Sequence, residues 1–276
     1  MKNLDFATHR QQYTIDNKAI SYIDIGQGPV LLFGHSYLWD AQMWAPQIEL
    51  LSQQYRCIVP DLWGHGLSTD MPAQCRNLRD VSAQMLSLMD SLDIGDFSVI
   101  GLSVGAMWGA ELALLAPTRV KRLVMLNSFI GFEPEITRDK YYAMLDVIKH
   151  EKGISPALRA TIIPLFFADN PNQLLVDKFE LILANINSEQ IDSLFRLGKM
   201  IFGRRDTLEQ VEELTLPCLI MAGVQDKARS VLESYLMHDA IDGSKFIHIP
   251  DAGHISTLEQ AEFINQHLTE FLSATN

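Results

Sequence analysis

Short apolar runs alternate with helix-patterned segments through the first part of this chain, and that rhythm limits its possible folds more than any other feature. Val30 to Phe33 is followed by a helical pattern over Met43 to Leu51, and Arg56 to Val59 by one over Leu78 to Leu92. Phe97 to Ile100 is followed by one over Val104 to Leu115, and Val120 to Leu126 closes the series. Such alternation predicts β-α-β units on a parallel sheet. Two β-rich runs, Tyr13 to Ile15 and Ala19 to Ile23, flank Asp16-Asn17-Lys18 and predict an antiparallel hairpin at the start. From Asn127 to about Leu216 the rhythm stops, and only helix patterns occur, near Thr137 to Lys149, Ala157 to Phe167, Asn172 to Ala184 and Ile191 to Phe202. Strand signals resume at Cys218 to Ala222 and Lys245 to Ile249, with helices over Val231 to Met237 and Thr257 to Leu272. The expected fold class is therefore α/β, a mostly parallel central sheet of about eight strands flanked by helices. Residues 1–126 and 217–276 are expected to form the core and 127–216 an inserted helical cap.

The bulk numbers exclude several classes. At 276 residues the chain buries a full core, and its 47% hydrophobic and 20% charged residues give a globular balance. A formal charge of -12 repels polyanions, and no Lys/Arg-rich stripe offsets it, so no nucleic-acid partner is expected. Three cysteines, Cys57, Cys75 and Cys218, without C-x-x-C spacing suggest neither a disulfide framework nor a zinc site. The opening stretch MKNLDFATHRQQYTID has no apolar leader core, and no run approaches the ~18 apolar residues of a membrane span. A cytoplasmic protein with no membrane partner is expected.

The chemistry concentrates at strand ends. Residues 101 to 105 read Gly-Leu-Ser-Val-Gly between an apolar run and a helix, the context in which G-x-S-x-G marks a nucleophile elbow. A serine hydroxyl attacks only when a base takes its proton, so Ser103 must stand free and face a histidine. Gly101 and Gly105 let the backbone turn sharply beside it. The other strand ends lead into His35-Ser36-Tyr37, into PDLWGHGLS at 60 to 68, into Gly223-Val-Gln-Asp226 and into Asp251-Ala-Gly-His254. Catalytic groups of open α/β sheets gather at those ends. His35 and His65 sit in no cluster with metal-ligand spacing, so they read as loop braces, and no metal or cofactor is expected.

With these motifs in hand, the chain resembles the α/β-hydrolase fold superfamily, and within it the small esterase and enol-lactonase-like group, from about Tyr13 to Leu272. The chain order Ser103, Asp226, His254 is that of the superfamily's triad. The resemblance implies Ser103 as nucleophile, His254 as general base and acid, Asp226 as the orienting carboxylate, and the backbone N–H groups of Val104 and Tyr37 as oxyanion hole. Related chains usually carry His-Gly where this one has His35-Ser36, so the loop lacks a residue free to adopt unusual φ/ψ angles. Asp61 and Asp251 are rival acids, the first treated by the pattern as structural. The strand before the cap ends at Asn127-Ser128, neither of which carries a carboxylate.

The expected reaction is hydrolysis of a small carboxylic ester or lactone through an acyl-enzyme. Carbon-carbon bond hydrolysis and perhydrolysis share the triad and stay open, as does a small-molecule receptor retaining vestigial turnover. Trp39, Trp108, Phe166, Phe167 and Met200 are expected to line the substrate pocket.

Overall fold

The computed structural model describes residues 5–274; the first four residues of the stretch searched for a leader, and residues 275 and 276, lie outside the described residues. β1 (Arg10–Ile15) and β2 (Lys18–Ile25) form an antiparallel hairpin. Its turn residues Asp16 and Asn17 have φ 50 and 61, the left-handed pair a two-residue hairpin loop demands. β3 (Val30–Gly34), β4 (Arg56–Pro60), β5 (Phe97–Leu102), β6 (Val120–Leu126), β7 (Cys218–Gly223) and β8 (Lys245–Ile249) complete one eight-stranded sheet ordered β1-β2-β4-β3-β5-β6-β7-β8. All pairings from β4 to β8 are parallel, while β2 meets β4 antiparallel. β3 lies between β4 and β5, so successive connections leave it in opposite directions. The crevice beyond the carboxyl ends of β3 and β5 is thus the topological switch point at which such sheets bind ligands.

Helices flank the sheet. α1 (Ala45–Leu51), α2 (Leu78–Ser91) and α3 (Val104–Leu115) follow β3, β4 and β5 in turn. α3 is buried on every side from Val104 to Ala113 and packs against β5, β6 and α2, which is why it lacks an amphipathic stripe. Between β6 and β7 the described residues contain helices and no strand: α4 (Glu135–Glu151), α5 (Pro156–Ile162), α6 (Gln173–Ala184), α7 (Ser188–Phe202) and the single turn α8 (Leu208–Val211). α9 (Val231–Ala240), α10 (Ser256–Glu259) and α11 (Ala261–Ser273) follow. Reciprocal capping boxes start α2 at Asn77, α7 at Asn187 and α9 at Ser230.

Three helices expected as continuous are divided. Met43 to Leu51 is a 3-10 turn (Ala41–Trp44) running into α1, with Pro46 in the first turn of the helix. The stretch from Ala157 to Phe167 breaks after Ile162, because Pro164 has no N–H to continue the ladder and the chain tightens to 3-10 geometry over Ile163–Leu165. Thr257 to Leu272 is split at Gln260, whose φ −129 and ψ 49 leave the helical region.

Candidate active site

One residue separates β5 from α3, and that residue is Ser103. Its φ of 58 and ψ of −121 lie where side-chain-bearing residues are strained. The strain persists because the surroundings overdetermine it. Ser103 N–H donates to Leu126 O at 2.9 Å, and Ser103 O accepts the Ser128 hydroxyl at 2.8 Å and the N–H groups of Ala106 and Met107. Neither flanking glycine has a positive φ; they are needed for close approach. A Cβ on Gly105 would stand 2.0 Å from Gly34 O, and one on Gly101 would stand 2.3 Å from Ala106 N. The end of β3 therefore lies directly against the first turn of α3. Ser103 is 7% exposed, and among the described residues its hydroxyl has no hydrogen-bond partner.

His254 and Ser103 line the same cavity. His254 Nδ1 lies 2.9 Å from Asp226 Oδ2, both side chains nearly inaccessible. Asp226 is fully engaged: Oδ1 accepts the N–H groups of Ala228 and Arg229 at 2.8 and 2.9 Å, and Oδ2 also accepts Asn127 Nδ2 at 2.9 Å. With Asp226 accepting from every neighbour, His254 Nδ1 carries a proton and Nε2 keeps its lone pair toward the cavity. The sequence marks Asn127 only as a strand-end residue that carries no carboxylate. The residue directly follows β6, has φ 47, and its amide also donates to Gly253 O while its Oδ1 accepts the Ser256 hydroxyl at 2.6 Å. It joins the acid loop to both sides of His254. The sequence shows only that Asn127 follows a strand; the pairing of β6 with β7 brings it to Asp226. The rival acids stand elsewhere: Asp251 is exposed, and Asp61 is buried against Arg10 while accepting Ala41 and Leu67 N–H.

The loop after β3 is held by two interlocked histidines. His35 Nδ1 donates to Ser36 O at 2.7 Å while its Nε2 accepts Leu62 N–H at 2.7 Å. His65 Nδ1 donates to Trp63 O at 2.9 Å and its Nε2 accepts Leu38 N–H at 3.0 Å. Both rings must be neutral to do this, and burial lowers them to about 4 for His35 and about 3 for His65. Ser36, where related chains usually carry glycine, has no positive φ; the left-handed residue of this loop is Leu38, at φ 67, whose N–H His65 accepts. Tyr37 N–H and Val104 N–H have no acceptor among the described residues, and the Tyr37 hydroxyl anchors the loop to α7 through Leu194 O at 2.8 Å.

These histidines set an acid-stability expectation. The unfolded chain protonates histidine below ~6.5, whereas the fold keeps both neutral to about 4 and about 3. In that window the unfolded state binds more protons, so stability falls with pH by up to ~1.4 kcal/mol per unit for each ring. Burial raises the Asp61 carboxyl to about 6 despite Arg10, and its earlier proton uptake in the fold offsets roughly one of the two. Urea midpoints measured from pH 7 to pH 4.5 should fall steadily. A constant midpoint would contradict the neutral-brace geometry.

The cavity is walled by Met107, Tyr141, Met144, Leu145, Ile162, Phe166 and Phe202 among others, with Ser36, Tyr37, Ser103, Arg229 and His254 also on its wall, and has ≈ 80 Å³ of solvent-accessible space. Of the aromatic and Met side chains expected to line it, Phe166 does and four do not. Trp39 is stacked on Phe179 at 4.5 Å between centroids, with Phe167 edge-on to both. Trp108 is buried beneath Gly34, where an added Cβ would meet its ring at 2.5 Å. Met200 faces a surface groove beside Phe195 and Arg196, since Ile201 and Phe202 occupy the cavity-facing side of α7. Arg229 is tied bidentately to Glu133, at 3.2 and 2.6 Å, and Arg204 shares that carboxylate at 2.9 Å. Burial raises the Glu133 carboxyl, yet its bonds to Arg229 and Arg204 outweigh this and leave it below the usual range. The network links both ends of the α4 to α7 segment to the loop that carries Asp226. All three cysteines are free and buried. Among the described residues no group of His, Cys, Asp and Glu could hold a metal ion, and no helix is long and apolar enough to cross a membrane.

Comparison with known proteins agrees with this architecture. A 3-oxoadipate enol-lactonase from Acinetobacter baylyi is 25% identical over 269 residues, covering 95% of this chain and 96% of its own. A thermophilic esterase from Thermogutta terrifontis shares the fold at TM-score 0.86 and 22% identity, over 95% of this chain and 97% of its own. The enol-lactonase from Burkholderia xenovorans does so at TM-score 0.85 and 22% identity, over 96% and 100%. The model of the alpha/beta hydrolase fold matches residues 29–261, and the chain belongs to that family.

Proposed function

We propose that this protein is a serine hydrolase that cleaves small carboxylic esters or lactones through an acyl-enzyme, with the α4 to α7 segment as its cap. The observation that carries the reading is Ser103, held at φ 58 on a strand-to-helix turn and facing one cavity with a His254 paired to Asp226 at 2.9 Å. His254 Nε2 takes the hydroxyl proton as Ser103 Oγ bonds to the acyl carbon, and the carbonyl electron pair moves onto oxygen. The free N–H groups of Val104 and Tyr37, with the N-terminus of α3 behind them, receive that charge. The tetrahedral intermediate collapses, the leaving alkoxide takes the proton from His254, and water repeats the sequence on the acyl-enzyme. Asp226 keeps the imidazole in the tautomer this needs. Relatives named as enol-lactonase and carboxylesterase support the substrate class.

The cavity's size bears on the acyl group. At ~10–15 Å³ of accessible volume per water, its ≈ 80 Å³ hold roughly six water-sized groups. A methylene leaving water gains ~0.8 kcal/mol, about fourfold in kcat/KM, so long as there is room. Along a series of p-nitrophenyl esters from acetate to palmitate, with simple lactones alongside, kcat/KM should climb and then stop by roughly the butyryl to hexanoyl esters, where crowding takes over. An optimum at dodecanoyl or longer would refute the small-pocket reading, and turnover of none of these substrates would refute the hydrolase.

A further inference from the structure

Ser36 lines the cavity beside Ser103 and His254, is 1% exposed, and among the described residues its hydroxyl has no hydrogen-bond partner. The backbone of the residue, by contrast, is fully used. Its N–H donates to Met43 Sδ at 3.2 Å, and its carbonyl accepts Trp39 N–H at 3.2 Å and His35 Nδ1 at 2.7 Å. The loop is thus held without the hydroxyl. A buried polar group left unpaired is unfavourable, and native chains retain few of them. At the wall of a mainly apolar cavity such a group is satisfied when a ligand brings a polar atom to it.

Position and chemistry decide which atom that is. Because Gly34 lies against Gly105, the loop two residues past β3 is beside the first turn of α3, where the acyl group of a Ser103 substrate must sit. An ester or lactone offers two oxygens there, and both are acceptors. The carbonyl oxygen is the one that gains charge as Ser103 attacks, and a hydroxyl without a competing acceptor is free to donate to it. Of the other donor side chains on this wall, Arg229 is committed to Glu133 and Glu233 and the Tyr37 hydroxyl to Leu194 O, while the Tyr141 hydroxyl belongs to α4 and not to the loop beside the first turn of α3.

Resting on the hydrolase reading above, we infer that the Ser36 hydroxyl is a third oxyanion donor, adding a side-chain hydrogen bond to those from Val104 and Tyr37 N–H. No covalent bond changes at Ser36: it stays protonated and tightens its hydrogen bond as negative charge develops. Its effect belongs to the transition state, so it should appear in kcat and leave KM nearly unchanged.

The test uses Ser36→Ala and Ser36→Gly in the full chain, assayed with the best p-nitrophenyl ester of the series and with an alkylboronic acid, which forms a tetrahedral anion on Ser103. The expected result for both variants is a fall in kcat on the order of 100-fold, with KM within ~3-fold, boronate affinity lost in the same proportion, and thermal stability equal to or above that of the parent. A merely structural hydroxyl would lower stability and spare the boronate. The inference is overturned if either folded variant keeps kcat within ~10-fold of the parent, or if the loss lies in KM alone. Ser103→Ala run in parallel separates the two readings: a dead Ser103→Ala beside a fully active Ser36→Ala removes only the role of Ser36, while an active Ser103→Ala removes the serine mechanism.

Discussion

Ser103→Ala should lower ester hydrolysis by about four powers of ten or more in kcat while the protein stays folded. The hydroxyl is the proposed covalent catalyst, and the thiols offer no replacement. Cys57, Cys75 and Cys218 lie outside the cavity lining, and burial pushes each up to about 12, so none supplies a thiolate. Stability gives an independent check on the same residue. The φ 58, ψ −121 backbone is one that glycine adopts freely. Strain there is worth ~1–3 kcal/mol, and glycine loses roughly 0.5–1 kcal/mol to chain entropy, so Ser103→Gly should gain about 1 kcal/mol. In a domain of this size that is a rise in Tm of roughly 2 °C or more. Ser103→Ala keeps the strained backbone and should melt near the parent. An inactive Ser103→Gly that melts higher would identify the elbow as strain held for catalysis. A folded Ser103→Ala with a tenth of the parent activity would end the serine mechanism.

Much of this architecture was legible because the physics that makes it is local. A strand covered on both faces needs a continuous apolar run, so β5 reads as Phe97 to Ile100 and β7 as Cys218 to Ala222, and the structure extends each by one or two residues to Leu102 and Gly223. Ser103, Asp226 and His254 each follow such a run within a few residues, and a parallel sheet brings those ends to one edge. What stayed hidden depends on neighbours distant in sequence. Asn127 meets Asp226 only because β6 lies beside β7, with Leu126 opposite Met221. Phe166 and Trp39 look alike as aromatic residues near functional loops, yet one faces the cavity and the other is sealed against Phe179 by α6. Along α7 the buried positions Leu194, Leu197 and Ile201 carry the helical period, and following that stripe would have pointed to Ile201 rather than Met200. The breaks at Pro164 and Gln260 differ in kind: the first is written in the residue itself, whereas no local rule marks the second.

Asp226→Asn should cost on the order of 10⁴ in kcat, and Asp251→Asn little or nothing. In the native site Asp226 Oδ2 accepts from both His254 Nδ1 and Asn127 Nδ2. An asparagine has one acceptor oxygen. If that oxygen keeps the Ala228 and Arg229 N–H groups now held by Oδ1, its NH₂ faces two other donors. His254 then escapes the clash by moving its proton to Nε2, which leaves no lone pair for the Ser103 hydroxyl. The reversed amide, with oxygen toward His254, turns its NH₂ on the backbone N–H groups and loosens the loop that carries the acid. Either arrangement disables the base, and neither unfolds the sheet, since β7 and β8 pair without Asp226. Asn127→Ala should fall between the two variants: it removes one donor to Asp226 and the link to Gly253 O but keeps the imidazole's partner. The assay is kcat for the three variants on one ester, with circular dichroism to confirm folding. Equal losses at Asp226 and Asp251 would displace the acid from Asp226, and an Asn127→Ala as inactive as Asp226→Asn would make the amide, rather than the carboxylate, the group that sets the histidine.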